Sequence, residues 1–343
     1  MNEKIFDRIG NTPLIHLQSF SQQTGCNIFG KAEFMNPGGS VKDRAAAQII
    51  KDAIKNKKVK PGGTIIEGTA GNTGIGIALV ANALSLKSII VVPNNQSKEK
   101  IDTLKACRAD VVLVPPVPGK NPNHFTKIAL RIAEEMNKKD PLSAFLAGQF
   151  DNLSNQNAHY LSSGPEIFNQ LNGRVDGFIC AIGTGGTLAG ISKYLKEKNS
   201  NFVTGLADPP GAALYNFYKN GVLSAEGSSI TEGIGQGRIT KNIEELKVDY
   251  PYQINDQESL DIMFKLVENE GLFLGISSGI NVAGALRLAK DIGPEKNIVT
   301  ILCDSGSRYL SKIYNPTFLE SKNLTYPEWL KEKNSFNLDK FFI

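Results

Sequence analysis

The chain has little histidine, little cysteine and no long apolar run, and each shortage removes a class of function. Only three histidines occur in 343 residues: His16, His124 and His159. They are too few and too dispersed for a metal cluster, so no metal site is expected, nor a histidine-dependent triad. The four cysteines, Cys26, Cys107, Cys180 and Cys303, include no CxxC pair. That spacing fits buried thiols in a reducing compartment better than a disulfide frame or a zinc site. No stretch approaches the ~20 apolar residues that a membrane-spanning helix requires. The first ten residues, MNEKIFDRIG, lack the apolar core of a signal peptide, so the cytoplasm is the expected location. The net charge of +4 is small, and Lys and Arg are scattered. With no basic stripe or aromatic platform, neither nucleic acid nor membrane is an expected partner. The lysine-rich residues 51–60 read as solvated surface.

What is present is alternation. Hydrophobic residues at 41% and charged residues at 21% describe a globular chain long enough for two domains. Apolar runs at 28–34, 64–66, 88–92, 110–114, 144–147, 177–181, 202–207 and 297–303 read as strands. Between them, helices are expected at 40–53, 72–84, 97–107, 155–171, 188–196, 257–268 and 279–290, with a short piece at 212–220. Strands alternating with helices imply parallel sheets wrapped by helices, an α/β fold. Beyond Arg308 the rhythm is lost, and the tail reads as a packed extension or a dimer contact.

Three glycine-rich turns punctuate this alternation. Residues 36–44 (NPGGSVKDR) reverse the chain and open a helix, with Ser40 as the expected N-cap and Asp43 close to a capping-box partner. Lys42 then lies in the first helical turn. A cation there faces the positive end of the helix dipole, a placement that suits an amine used as a nucleophile, though a solvated lysine satisfies the same pattern. Residues 69–74 (TAGNTG) and 183–187 (GTGGT) each join an apolar strand to a helix. The second offers backbone N–H groups and a helix N-terminus to a phosphate. Taken alone it fits a mononucleotide loop or a tight structural turn equally well. No Walker lysine follows it, and Leu188 occupies the last glycine position of a dinucleotide GxGxxG.

Together, in this order and separation, the three turns resemble the cysteine synthase (O-acetylserine sulfhydrylase) and cystathionine β-synthase family of pyridoxal-phosphate enzymes, of the tryptophan-synthase-β fold type. The resemblance runs from IGNTPL at residue 9 to about Asp304. It implies two three-layer α/β domains with pyridoxal 5′-phosphate in the cleft between them. The smaller would cover residues 36–152; the larger would take 13–35 plus 153–310, leaving 311–343 as a tail. Lys42 would hold the cofactor and act as general base. Gly183, Thr184, Gly185, Gly186 and Thr187 would cradle its phosphate, and Asn72 would meet its ring oxygen. Ser277, in GISSG, would face the ring nitrogen; a plain N-cap serine is the alternative. Thr69, Ala70, Gly71, Thr73 and Gln149 would grip the substrate carboxylate. Ala70 departs from the serine usual in cysteine synthases. The TEGIGQGRIT loop, with Gly233, would shape the acceptor side. Within it Arg238 stands where an apolar side chain is expected, so it either recruits an anionic nucleophile or is a surface arginine.

The implied reaction is β-replacement on an activated L-serine, most simply O-acetylserine and sulfide to cysteine and acetate. Cystathionine β-synthase, S-sulfocysteine or phosphoserine-dependent synthases, a serine/threonine dehydratase and an inactive regulatory homologue are the rivals. The partners implied are an amino-acid substrate and a sulfur nucleophile. A homodimer is expected, and a serine acetyltransferase is a candidate partner.

Overall fold

A computed structural model describes residues 4–69 and 71–331. Two separate sheets organise it. The larger contains β1 (Leu14–His16), β2 (Asn27–Ala32), β7 (Gly177–Cys180), β8 (Val203–Asp208), β9 (Tyr250–Gln253) and β10 (Asn297–Leu302), in the order β1-β2-β10-β7-β8-β9. The smaller contains β3 (Thr64–Gly68), β4 (Lys87–Pro93), β5 (Asp110–Val114) and β6 (Ala144–Leu146), in the order β5-β4-β3-β6. Every pairing is parallel except β1 with β2.

The central strands read as unbroken apolar runs because helices cover both faces. All five residues of β3 and all four of β7 are buried. The helix Lys42–Lys55 packs its Ala45, Ala46, Ile49 and Ile50 against Ile65 and Ile75. It therefore belongs to the smaller sheet's core. Its first residue lies at the carboxyl ends of the larger sheet's strands: Val41 N–H donates to Cys303 O at 3.0 Å, and Ser40 bridges to Asp304. The carboxyl ends of β3, β7 and β10 thus converge on one place, where open α/β sheets bind ligands.

Several expectations are corrected. Helical hydrogen bonding begins at Lys42, and Ser40 Oγ accepts from Lys42 N–H at 3.3 Å as a cap does, but the expected capping box is not closed: the carboxylate of Asp43 turns back to Gly38 N–H instead of Ser40. The GISSG helix starts earlier than expected, at Ile276, with Gly275 as N-cap, so Ser277 is inside its first turn. The expected helix 155–171 is three pieces: Ser154–Ala158, a π-turn His159–Ser163, and Gly164–Gln170. Pro165 explains the break, since it lacks an N–H for the ladder and its ring crowds the preceding turn; Gly164 N–H reaches His159 O instead. Two strands went unread. β1 is only three residues long, and β9 carries Pro251, which an edge strand tolerates. The described part of the tail is a packed extension: Tyr309, Ile313, Tyr314 and Leu319 cover Leu260, Met263 and Ile276. Residues 332–343 of that tail lie outside the described residues.

Candidate active site

Lys42 lines two adjoining hollows that share Val41, Gly183, Thr184, Ile234 and Cys303. The narrower takes in Gly185 and Thr187; the wider takes in Thr69, Gly71, Asn72, Thr73, Gln149, Gly233 and Ser277. Gly186 lies directly behind the narrower hollow, as the first residue of the helix Gly186–Lys198. The structure therefore brings together every expected site residue it describes except Arg238; Ala70 lies outside the described residues.

The narrower hollow fits a phosphate. The backbone N–H groups of Gly185, Gly186 and Thr187 donate to no acceptor among the described residues, as expected for the first turn of a helix. Close packing dictates the glycines. A Cβ on Gly183 would lie 2.2 Å from Gly233 O, and one on Gly186 2.1 Å from Asn155 Oδ1. Gly185 adds a φ of +89°, and its Cβ would meet Ile243 at 2.1 Å. Three unpaired donors at a helix N-terminus, with no side chain able to intrude, are an anion cradle.

The wider hollow is lined by polar groups held from behind. Arg308 Nη1 donates to Asn72 Oδ1 at 2.7 Å, and Asn72 Nδ2 donates to Asp304 Oδ2 at 2.6 Å. Since Arg308 is donor-only, the Asn72 amide is fixed, with one N–H left for a ligand. Thr73 Oγ1 donates to Gln149 Oε1 at 2.6 Å, tying the TAGNTG turn to the strand-end residue opposite. Lys100 also reaches this wall. It is 2% exposed, pairs with Glu232 at 2.7 Å and lies 4.2 Å from the Tyr309 ring centroid. Burial pulls the Lys100 amine down, while the Glu232 carboxylate opposes that shift. Burial would raise Glu232, yet the Lys100 charge and hydrogen bonds from Lys100 and Lys312 hold it low.

Arg238 is elsewhere. It makes a two-pronged pair with Asp151 at 3.0 and 2.7 Å, half exposed, and does not line either hollow. Arg238→Ala is therefore expected to leave the relative rates with sulfide and thiosulfate unchanged, measured side by side; a selective loss with thiosulfate would return it to the acceptor side.

Sequence reading missed Lys100, Glu232, Asp304 and Arg308. A signal existed for Lys100: it lies four residues before Leu104, so the apolar face of the helix Lys98–Ala106 carries a lysine. Asp304 and Arg308 gave no such signal, because they act on a residue more than 230 positions away.

Residues 5–304 match the pyridoxal-phosphate dependent enzyme family. The chain belongs to that family. Among its relatives, cysteine synthase 1 of Neurospora crassa is 47% identical over 331 residues, spanning 94% of this chain and 87% of the relative. A cysteine synthase of Dictyostelium discoideum is 44% identical, spanning 93% and 86%. The crystal structure of an O-acetylserine dependent cystathionine beta-synthase from Helicobacter pylori superposes with a TM-score of 0.81 at 35% identity, covering 91% of this chain and 98% of that one. The cofactor is pyridoxal phosphate, and the unpaired donors of the GTGGT turn fit its phosphate.

In this pyridoxal-phosphate enzyme a buried acid stands beside Gln149. Glu67, at the end of β3, is 1% exposed; burial pushes its carboxyl up to about 8 against N–H groups of Gln149 and Gly148. A folded value above the ordinary 4.5 means that folding takes up a proton. This contribution is complete below the ordinary value and is lost as pH rises through the folded one, at about 1.4 kcal/mol per pH unit. Glu67→Gln is expected to flatten stability against pH between about 5 and 8 by that slope, read from urea midpoints. An unchanged slope would place the carboxylate charged in the fold.

Proposed function

We propose that the chain is a cysteine synthase, converting O-acetylserine and sulfide to L-cysteine and acetate by β-replacement. The observation that carries this is Lys42 lining both hollows, between the GTGGT cradle on one side and the TAGNTG turn with Gln149 on the other. When bound, pyridoxal phosphate supplies an aldehyde for the substrate amine and an electron-withdrawing ring that acidifies the substrate Cα–H.

The chain's residues do the rest. Gly183, Thr184, Gly185, Gly186 and Thr187 would hold the phosphate, and the N–H that Asn72 keeps free would serve the ring oxygen. Thr69, Gly71, Thr73 and Gln149 bind the substrate carboxylate at a helix N-terminus, which orients Cα toward Lys42. Lys42 Nζ removes the Cα proton and later returns it. Ser277 offers the ring nitrogen a hydroxyl in place of a carboxylate, which leaves that nitrogen nearer neutral. Proton removal is then coupled to departure of the β-acetate, and sulfide takes its place on Cβ. Burial pushes the Cys303 thiol to about 11 and Cys180 well above its usual value, so neither competes as a nucleophile.

A carboxylate-bearing thiol such as homocysteine is the second acceptor to weigh, since Lys100, paired with Glu232, lies on the cavity wall. Initial rates with sulfide and with homocysteine, at fixed O-acetylserine, decide between them. Faster product formation with sulfide is expected. We also propose the two-domain division near residues 36 and 152, which the membership of the two sheets supports. A cytoplasmic location, a homodimer and a serine acetyltransferase partner belong to the same proposal. Sedimentation of the chain alone and with the acetyltransferase tests the last two.

A further inference from the structure

Two buried side chains reach the GTGGT turn from behind, and both come from one face of the broken helix. Asn155 and His159 are four residues apart, each 1% exposed. Asn155 Nδ2 donates to Thr184 Oγ1 at 2.8 Å and to the carbonyl of Gln149 at 2.9 Å. A carbonyl only accepts, so the amide orientation is settled and the Thr184 hydroxyl is the acceptor.

His159 repeats the arrangement on Thr187. Its Nε2 lies 3.1 Å from Thr187 Oγ1, and its Nδ1 lies 2.9 Å from Ser163 Oγ. Burial first, and the Arg44 charge second, push this imidazole down to about 3, so it is neutral and carries one N–H. The buried Ser163 hydroxyl has no acceptor but Nδ1 among the described residues. With the proton on Nδ1, the Ser163 proton would be stranded. With the proton on Nε2, Ser163 donates to Nδ1 and Nε2–H donates to Thr187, and every donor is satisfied.

We propose that Asn155 and His159 are positioning residues that aim the hydroxyl protons of Thr184 and Thr187 into the cradle. A hydroxyl that accepts from behind keeps its single proton for the ligand in front. The turn then presents two O–H donors beside its three unpaired N–H groups, all directed at the anion. The opposite imidazole tautomer would take the Thr187 proton and leave a lone pair facing the phosphate. The proposal rests on the reading that this turn holds the cofactor phosphate. The π-turn His159–Ser163 carries both partners, and the Ser163 contact on Nδ1 selects the tautomer.

The test begins with ¹⁵N spectra of the histidine-labelled holoenzyme, where three histidines make assignment direct. The Nε2–H tautomer of His159 is expected, unchanged from pH 6 to 8; an Nδ1–H tautomer overturns the proposal, and this readout needs no variant. The cofactor dissociation constant is then measured by titrating cofactor-free protein. His159→Phe, which keeps bulk and loses the donor, is expected to weaken binding about tenfold, and His159→Gln, whose amide reaches the Nε2 position, by less than about twofold. In a Thr187→Val background His159→Phe should add no further loss. Weakened binding in Thr187→Val with wild-type affinity in His159→Phe overturns the proposal alone. Equal affinity of the wild-type chain for pyridoxal and pyridoxal phosphate overturns the cradle reading, and the proposal with it.

Discussion

Lys42→Ala is expected to lower turnover by on the order of 10³-fold or more and to replace the lysine-linked absorption band of the cofactor by that of the unlinked aldehyde. The size of the effect follows from the lack of a substitute. The other lysine on the cavity wall, Lys100, is held in its pair with Glu232 at 2.7 Å. The thiols of Cys180 and Cys303 are kept protonated by burial. The proposed phosphate and carboxylate contacts come from other residues, so the variant should still bind cofactor, without a covalent link. The checks are a visible spectrum and a steady-state assay on one preparation. Near wild-type activity, or an absorption band unchanged from the wild type in the absence of amino acid, would remove Lys42 from the chemistry.

Arg44→Ala is expected to cost about 3–5 kcal/mol of folding stability, among the largest losses any single truncation in this chain should cause. Arg44 donates to both oxygens of Glu33 at 2.7 Å, to Glu166 at 2.7 and 2.8 Å, to Ser162 at 3.0 Å and to Thr12 at 3.2 Å. Lys31, fully buried, pairs with Glu166 at 2.6 Å. Glu33 is also fully buried. Burial alone would raise its carboxyl, and the Arg44 charge and hydrogen bond hold it low instead. Removing Arg44 leaves Glu33 with only neutral hydrogen-bond donors, Thr12 and Asn36, each at 2.8 Å.

The sign of the pH dependence follows. In the wild type Glu166 is held down to about 2, so its contribution is full above the ordinary 4.5 and is lost as pH falls toward 2. In the variant Glu33 should protonate on burial, so its penalty shrinks in acid. The gap between the two proteins is therefore expected to be widest near neutral pH and to narrow below about pH 5. Urea unfolding of both holoproteins at two pH values measures it. A difference under about 1 kcal/mol at neutral pH would mean that the network contributes only as much as a surface pair.

The parts of this site legible in the sequence are those written as punctuation. A strand, a glycine-rich turn and a helix recur at TAGNTG and GTGGT, and local backbone chemistry determines both. Lys42 was legible for the same reason. What escaped is what tertiary approach creates. Asn72 is oriented by Asp304 and Arg308 from the far end of the chain, and no local pattern records that. The expected capping box at Ser40 is only half made: Lys42 N–H reaches Ser40 Oγ, while Asp43 turns to Gly38 N–H across the turn. Arg238 was left open between the acceptor side and the surface because its loop has no periodicity to say which side chains face inward; Asp151 pairs with it at the surface. The continuous helix at 155–171 overlooked Pro165, and with it the π-turn that sets His159 against Ser163.

One measurement tests the central claim most directly: the visible spectrum of the purified holoenzyme during stepwise addition of O-acetylserine and then sulfide, with cysteine quantified at the end. The expected result is a cofactor band that shifts with O-acetylserine, returns on sulfide, and yields about one cysteine per O-acetylserine consumed. A band that O-acetylserine leaves unmoved, or one that shifts and returns without forming cysteine, would contradict it.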